Sequence, residues 1–100
     1  GRSVSGNQEQ YLKLNLEAAK EAARQIRLRN LSGIILIDFI NLSGQEDREL
    51  LLHTMRDLTA ADPVKTEVID LTKLDLMEIT RKKGRPPLYE AIRKKEGSNE

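Results

Sequence analysis

The sequence predicts an α/β domain in which a small sheet is flanked by helices. Three observations predict this class. Apolar residues recur at helical spacing between residues 12 and 26, an aliphatic run follows at residues 34–37, and a second helical pattern then precedes two short strand patterns. A chain of 100 residues can bury one modest core. We therefore expect a single domain or domain fragment over residues 1–100, with flexible ends at 1–7 and 96–100.

The first helix is predicted to begin near Asn7, which approximates a capping box with Gln10. Its apolar stripe consists of Leu12, Leu16, Ala19, Ala23 and Ile26. The small alanines would let this helix pack closely on a sheet. Ser32-Gly33 is predicted to end it.

The first strand is predicted over residues 34–40 because Ile34 to Ile37 and the residues after them form an aliphatic run. Such a run is typical of a central strand that is buried on both faces. Asp38 is the charged residue inside it. It lies near the carboxyl end of the strand, where open α/β sheets usually bind ligands.

The second helix is predicted to start at the capping box Ser43–Glu46 and to end before Asp62-Pro63. The remaining predicted elements are strands at 65–70 and 76–79 and a short helix at 88–95. The order α-β-α-β-β-α begins on a helix, which is unusual for a complete domain of this class. We therefore expect a fragment of a larger α/β domain.

Composition excludes several kinds of site. The chain has no cysteine, so disulfides, thiolate zinc sites, iron–sulfur clusters and thiol nucleophiles are excluded. Its 17 Lys and Arg against 16 Asp and Glu give no overall charge signal for nucleic acid. The apolar run is too short to span a bilayer, and residues 1–10 lack the apolar core of a signal peptide. A cytoplasmic location without membrane contact is the default expectation.

Asp38 is the sharpest candidate for a functional residue. As a structural residue it would cap a turn or pair with an arginine such as Arg27. As a functional residue it would ligate a hard cation, since Mg²⁺ takes few carboxylates and keeps its waters. Phosphodiester chemistry usually uses two carboxylates. Asp70 and Glu67 are possible partners that spacing does not support.

The segment 81–85 is the dense basic cluster of the sequence. It is either a solvated turn with a helix end behind it or a phosphate-contacting surface, whose binding would be sequence-independent and salt-sensitive. The candidate contacts are Arg81, Lys83 and Arg85. His53 is predicted to be exposed and to belong to no catalytic triad.

Residues 15–42, NLEAAKEAARQIRLRNLSGIILIDFINL, resemble the catalytic region of the ribonuclease E/G family. That family carries a helix of the form NLEAA-x-EIARQLRLR, a glycine-containing turn and a strand ending in IDFID. Residues 74–83, LDLMEITRKK, are similar to the family's LGLLEMSRQR stretch. The resemblance covers roughly residues 13 to 85.

The resemblance implies an endoribonuclease that cleaves single-stranded RNA with Mg²⁺ on a subdomain like deoxyribonuclease I. Two aspartates hold the metal in that family, and Asp38 matches the second. The first lies in a D-[IV]-N motif that would precede Gly1-Arg2. We therefore expect these 100 residues to be inactive alone and to act with the remaining domains of a parent enzyme.

The chain departs from the family pattern at three places. Asn41 stands where the family usually has a second acidic residue, and Asp75 replaces a glycine. The family's cysteine pair, which shares a zinc ion in dimers, is absent, so any homo-oligomer would form without a zinc link. Two alternatives stay open: a non-catalytic RNA-binding or assembly module of the same fold, and an unrelated α/β interaction domain.

Overall fold

The computed structural model describes residues 2–83, with side chains described from residue 7 onward. The elements are α1 (Arg2–Leu28), β1 (Gly33–Asp38), α2 (Gln45–Ala60), β2 (Thr66–Leu71) and β3 (Leu76–Arg81). The predicted α/β class and the order α-β-α-β-β are confirmed. The helix predicted at 88–95 lies outside the described residues. No helix within residues 2–83 is long and apolar enough to cross a membrane.

The three strands form one antiparallel sheet in the order β1-β3-β2. Ile79 of β3 lies at the centre and is opposite Ile35 on one side and Val68 on the other. A bulge between Val68 and Asp70 shifts the register of β2. In the described part of the chain, β1 and β2 are therefore the two edges.

Both helices cover the same face of this sheet, where alternate strand residues point into the core. The buried apolar residues are Ala19, Ala23, Ile26, Phe39, Leu51, Met55, Val68, Leu71, Met77 and Ile79. The other face is open. Ile34 is 78% exposed and Leu36 is 58% exposed on it. The prediction that the first strand is central and buried on both faces was therefore wrong.

Neither helix starts at its predicted cap. Helix α1 begins at Arg2, so Asn7 lies inside the helix. Gly44 occupies the N-cap of α2 with φ 84°, and no side chain caps that end, so Ser43 does not form the predicted box. Glu46 and Asp47 nevertheless lie in the first turn of α2, where negative charge stabilises the helix dipole.

Helix α1 ends in a Schellman motif centred on Asn30, which has φ 50°. The backbone N–H of Leu31 donates to the Ile26 carbonyl at 3.0 Å, and that of Asn30 donates to the Arg27 carbonyl at 3.1 Å. Asparagine tolerates this left-handed conformation better than most residues. The motif reverses the chain direction and sends it directly into β1.

Candidate active site

Asp38 is the last residue of β1 and lies opposite Leu76, the first residue of β3. Strand alternation places it on the open face of the sheet with Ile34 and Leu36, and its side chain is exposed. A pairing with Arg27 is not among the ion pairs of the described residues. Asp38 is a solvent-facing carboxylate on a strand end.

The segment that follows Asp38 is held by the side chain of Asn15, which is 2% exposed. Its Nδ2 donates to the Ile40 carbonyl at 2.7 Å, and the Ile40 N–H donates to its Oδ1 at 3.1 Å. Phe39, between Asp38 and Ile40, is buried in the core. Its N–H donates to the backbone carbonyl of Asp75 at 3.0 Å.

Asp75 lies in the turn between β2 and β3 and connects this turn to helix α2. Its carboxylate accepts hydrogen bonds from the Arg48 guanidinium and from the Leu42 N–H, the latter at 3.4 Å. Arg48 also donates to the backbone carbonyls of Leu71 and Thr72. Asp75 has φ 64°, a left-handed conformation that glycine, the residue of the family pattern, adopts without strain.

A polar cleft of about 460 Å³ adjoins this segment. It is lined by Asn7, Gln8, Tyr11, Asn41, Leu42, Ser43 and Asp75. Side-chain amides and hydroxyls can hydrogen-bond to unpaired bases, and an aromatic ring such as that of Tyr11 can stack on them. Asn41 contributes to it in a left-handed conformation, with φ 44°.

The two candidate partner carboxylates of Asp38 lie elsewhere. Asp70 is on β2, opposite Glu78, and the whole width of β3 separates it from β1. Glu67 is opposite Thr80, further toward the other end of the sheet. Within the part of the chain that the structure describes, no three His, Cys, Asp or Glu side chains form a group that could hold a metal ion. Asp38 therefore fits a Mg²⁺ ion as one ligand and not as a complete site.

The sequence predicted that Arg81 lies in a turn. In the structure it is the last residue of β3 and is 5% exposed. Its Nε and Nη2 donate to the two carboxylate oxygens of Asp62, at 2.8 and 3.1 Å. Its Nη1 donates to Asn30 Oδ1 at 2.9 Å and to the Leu31 carbonyl at 3.0 Å. Four of the five guanidinium hydrogens thus form hydrogen bonds within the chain. This geometry favours a structural role for Arg81 over a phosphate contact.

The carboxyl of Asp62 has a pKa lowered from its ordinary value. The hydrogen bond from Arg81 is the main cause, and the Val64 N–H, the positive charge of Arg81 and the Thr66 hydroxyl act in the same direction against the effect of burial. The pair is therefore ionised at neutral pH. It ties the end of β3 to the loop after α2.

Lys83 is exposed just beyond β3, and Arg85 lies outside the described residues. Gly33 at the start of β1 is opposite Arg81, whereas Asp38 at its end is opposite Leu76. The five residue steps between these positions correspond to about 17 Å along the strand. The structure therefore does not bring Lys83 next to Asp38, and one RNA strand could contact both only by running along the sheet.

His53 is exposed, as predicted. Its Nε2 lies 3.2 Å from a carboxylate oxygen of Asp57, one helical turn further along α2. Both side chains are solvent-facing. This pair therefore belongs to the helix surface and not to the Asp38 end of the sheet.

Asn15 and Arg48 were missed as residues that hold the segment around Asp38 and Asp75, and Asp62 was missed as the partner of Arg81. Asn15 carried a usable signal, since a polar residue inside the apolar stripe of a helix needs a buried hydrogen-bonding partner. Arg48 and Asp62 bond to residues 27 and 19 positions away, and no local pattern reports such a pairing.

Comparison with known proteins adds an independent observation. The model of the ribonuclease E/G family matches residues 1–84. Ribonuclease G of Escherichia coli strain K12 is 46% identical over 78 residues, which are 78% of this chain and 16% of that protein. Ribonuclease E of a Synechocystis strain is 40% identical over 86 residues, which are 86% of this chain and 13% of that protein. A ribonuclease E/G-like protein of Pyropia yezoensis is 39% identical over 84 residues, 84% of this chain and 16% of that protein. The chain thus spans about one sixth or less of the length of these relatives.

Proposed function

Since this chain belongs to the ribonuclease E/G family, we propose that it is the part of an endoribonuclease that presents Asp38 to a divalent metal ion. The supporting observation is the position of Asp38. It is an exposed carboxylate at the end of a strand, inside the segment that carries the family motif, and it is followed by a backbone that Asn15 and Asp75 hold in place.

Mg²⁺ is the metal that this site would take, because hard cations prefer carboxylate oxygen and Mg²⁺ keeps several waters beside one or two carboxylates. When bound, such an ion activates water and stabilises negative charge on a phosphodiester. Asp38 would bind and orient it. Since the described residues offer no group of three ligands, we propose that further ligands come from other parts of the enzyme and that these 100 residues do not cleave RNA alone.

Single-stranded RNA is the proposed substrate. The polar cleft beside residues 41–43 offers amide groups and the ring of Tyr11 to unpaired bases. Lys82 and Lys83, both exposed, are the proposed phosphate contacts at the other end of the sheet, and Arg85 is retained as a candidate from the sequence. Arg81 is excluded from this set because its guanidinium is buried and paired. A cytoplasmic location and contacts with the remaining domains of the enzyme complete the proposal.

The decisive experiment replaces Asp38 by asparagine in the complete gene product that carries this chain. We expect Asp38→Asn to abolish Mg²⁺-dependent cleavage of a single-stranded RNA while circular dichroism and thermal unfolding stay unchanged. Asp70→Asn is the matched control, because Asp70 is an exposed aspartate on the same sheet at the other edge strand. It should cleave at the wild-type rate. Full activity in Asp38→Asn would refute the proposal.

A non-catalytic RNA-binding or assembly module is the second candidate. Asn41 favours it, since this position lacks the acidic residue that is usual in the family. Under that function, RNA binding would be lost on replacing Lys82 and Lys83 by glutamine, and neither Mg²⁺ nor Asp38 would matter. Metal-dependent cleavage by the wild-type protein excludes it.

A further inference from the structure

The side chain of Asn15 replaces a neighbouring strand for the backbone just after β1. It exchanges two hydrogen bonds with the N–H and the C=O of one residue, Ile40, as two paired residues do in an antiparallel sheet. The partners fix the orientation of the amide, because the Ile40 N–H needs an acceptor and the Ile40 carbonyl needs a donor. A single side chain thus satisfies both backbone groups.

The segment needs this partner because the ladder ends at Asp38. One backbone bond, from the Phe39 N–H to the Asp75 carbonyl, follows the last strand pair, and Ile40 has no strand partner among the described residues. Position 15 is 2% exposed on the apolar stripe of α1, so packing alone would favour an apolar residue there. Ile40 is 46% exposed, so water could replace its two bonds to Asn15, but water would not hold the segment against α1. The asparagine is therefore explained by the segment that it binds.

We propose that Asn15 is a positioning residue for Asp38. The inference rests on the proposed metal-binding role of Asp38. Ile40 is two residues after Asp38, and the residue between them, Phe39, is buried and bonded to the Asp75 carbonyl. The β1 ladder holds Asp38 from one side, and Asn15 holds the chain from the other. The exposed carboxylate consequently stands on a backbone that cannot rotate freely, which is what a metal ligand at a strand end requires.

The test compares Asn15→Ala with Thr59→Val. Thr59 is also buried and polar, but its hydroxyl bonds within its own helix, to the Met55 carbonyl at 2.9 Å. Both variants remove a buried hydrogen bond, and only the first touches the segment after Asp38. In the complete gene product we expect Asn15→Ala to raise the Mg²⁺ concentration for half-maximal cleavage by about 10- to 100-fold, the range for removing partners of metal-ligating groups. Thr59→Val should leave it unchanged.

Two readouts do not depend on activity. The amide hydrogen of Ile40 should exchange slowly in the wild type and rapidly in Asn15→Ala, while the amide of Ile79 in the centre of the sheet stays protected. Binding of Mn²⁺ alone, measured from the paramagnetic broadening of amides near Asp38, should weaken in parallel. Should Asn15→Ala fail to fold, Asn15→Ser keeps a hydroxyl that can donate or accept and buries no charge. That variant should show an intermediate metal requirement.

Parallel measurement of Asp38→Asn separates the two possible failures. Cleavage and Mn²⁺ binding that survive Asp38→Asn would overturn the proposed function and this inference with it. Loss of both in Asp38→Asn, with Asn15→Ala and Thr59→Val behaving alike, would overturn the inference alone. A raised metal requirement in Asn15→Ala but not in Thr59→Val supports it.

Discussion

Arg81 and Asp62 form a two-point ion pair, with the Arg81 Nε 2.8 Å from one carboxylate oxygen of Asp62 and the Nη2 3.1 Å from the other. The side chains are only 3% and 2% exposed. The pair joins residues 19 positions apart and fixes the end of β3 against the loop that follows α2.

Arg81→Ala should destabilise the fold strongly. Removing one partner of a buried pair leaves the other charge without compensation, which costs about 3–5 kcal/mol. Urea unfolding followed by circular dichroism measures the free energy. Lys82→Ala, at the neighbouring exposed position, should change it by no more than about 0.5 kcal/mol. Equal effects of the two substitutions would contradict a structural role for Arg81.

Stability should fall in acid because of Asp62. Its pKa is lowered in the folded state, chiefly by the hydrogen bond from Arg81, so the unfolded state binds the proton more readily. This contribution is complete above the ordinary aspartate pKa of about 3.9 and is lost as the pH falls through the lower folded value. Urea unfolding between pH 7 and pH 2.5 should show a steeper loss below about pH 4 in the wild type than in Asp62→Asn. Parallel curves would show that Asp62 does not carry this dependence.

Asp75→Gly and Asp75→Ala should differ in stability. Both remove the carboxylate that accepts from Arg48 and from the Leu42 N–H. Alanine adds the cost of a left-handed backbone at φ 64°, about 1–2 kcal/mol, which glycine avoids. We therefore expect Asp75→Ala to be the less stable variant by roughly 1 kcal/mol in thermal or urea unfolding. The reverse order would show that the turn relaxes to another conformation.

Replacing Lys82 and Lys83 by glutamine should weaken RNA binding, because fewer phosphates are then neutralised. For single-stranded RNA, the slope of log K against log salt should become less negative by about 0.7 for each phosphate that is no longer neutralised. Fluorescence anisotropy of a labelled single strand at several salt concentrations measures it. Lys20→Gln, an exposed lysine on α1, is the control and should leave the slope unchanged. A slope that stays at the wild-type value in the double variant would remove this surface from the proposal.

The sequence predicted the positions of the helices and strands better than their caps and their burial. Local patterns placed both helices and all three strands, because periodicity and turn residues act over a few positions. The predicted caps were wrong: Asn7 lies inside α1, and Gly44, not Ser43, is the N-cap of α2, although α2 begins close to its predicted start. The run from Ile34 to Ile37 predicted a doubly buried strand, and this too was wrong. An apolar run favours a strand, but it does not report whether the second face of that strand is covered, and here Ile34 and Leu36 are exposed.

The candidate site was only half visible in the sequence. Asp38 stood out because a charge interrupts an apolar run. Arg81 was grouped with Lys83 by neighbouring charge, and only the fold reveals that it pairs with Asp62. Asn15 was visible as part of a motif, but its partner lies 25 residues away in a segment without any periodic pattern. A local sequence pattern does not report the partners of residues that form long-range hydrogen bonds.

The outer side of β1 has a consequence for handling the isolated chain. This strand carries Ile34 and Leu36 on its exposed face, and no strand of the described residues pairs with its outer edge. Unpaired, apolar edges of this kind template the addition of further strands from other molecules. We expect concentrated samples of these 100 residues to self-associate through β1, and Leu36→Lys to delay that association.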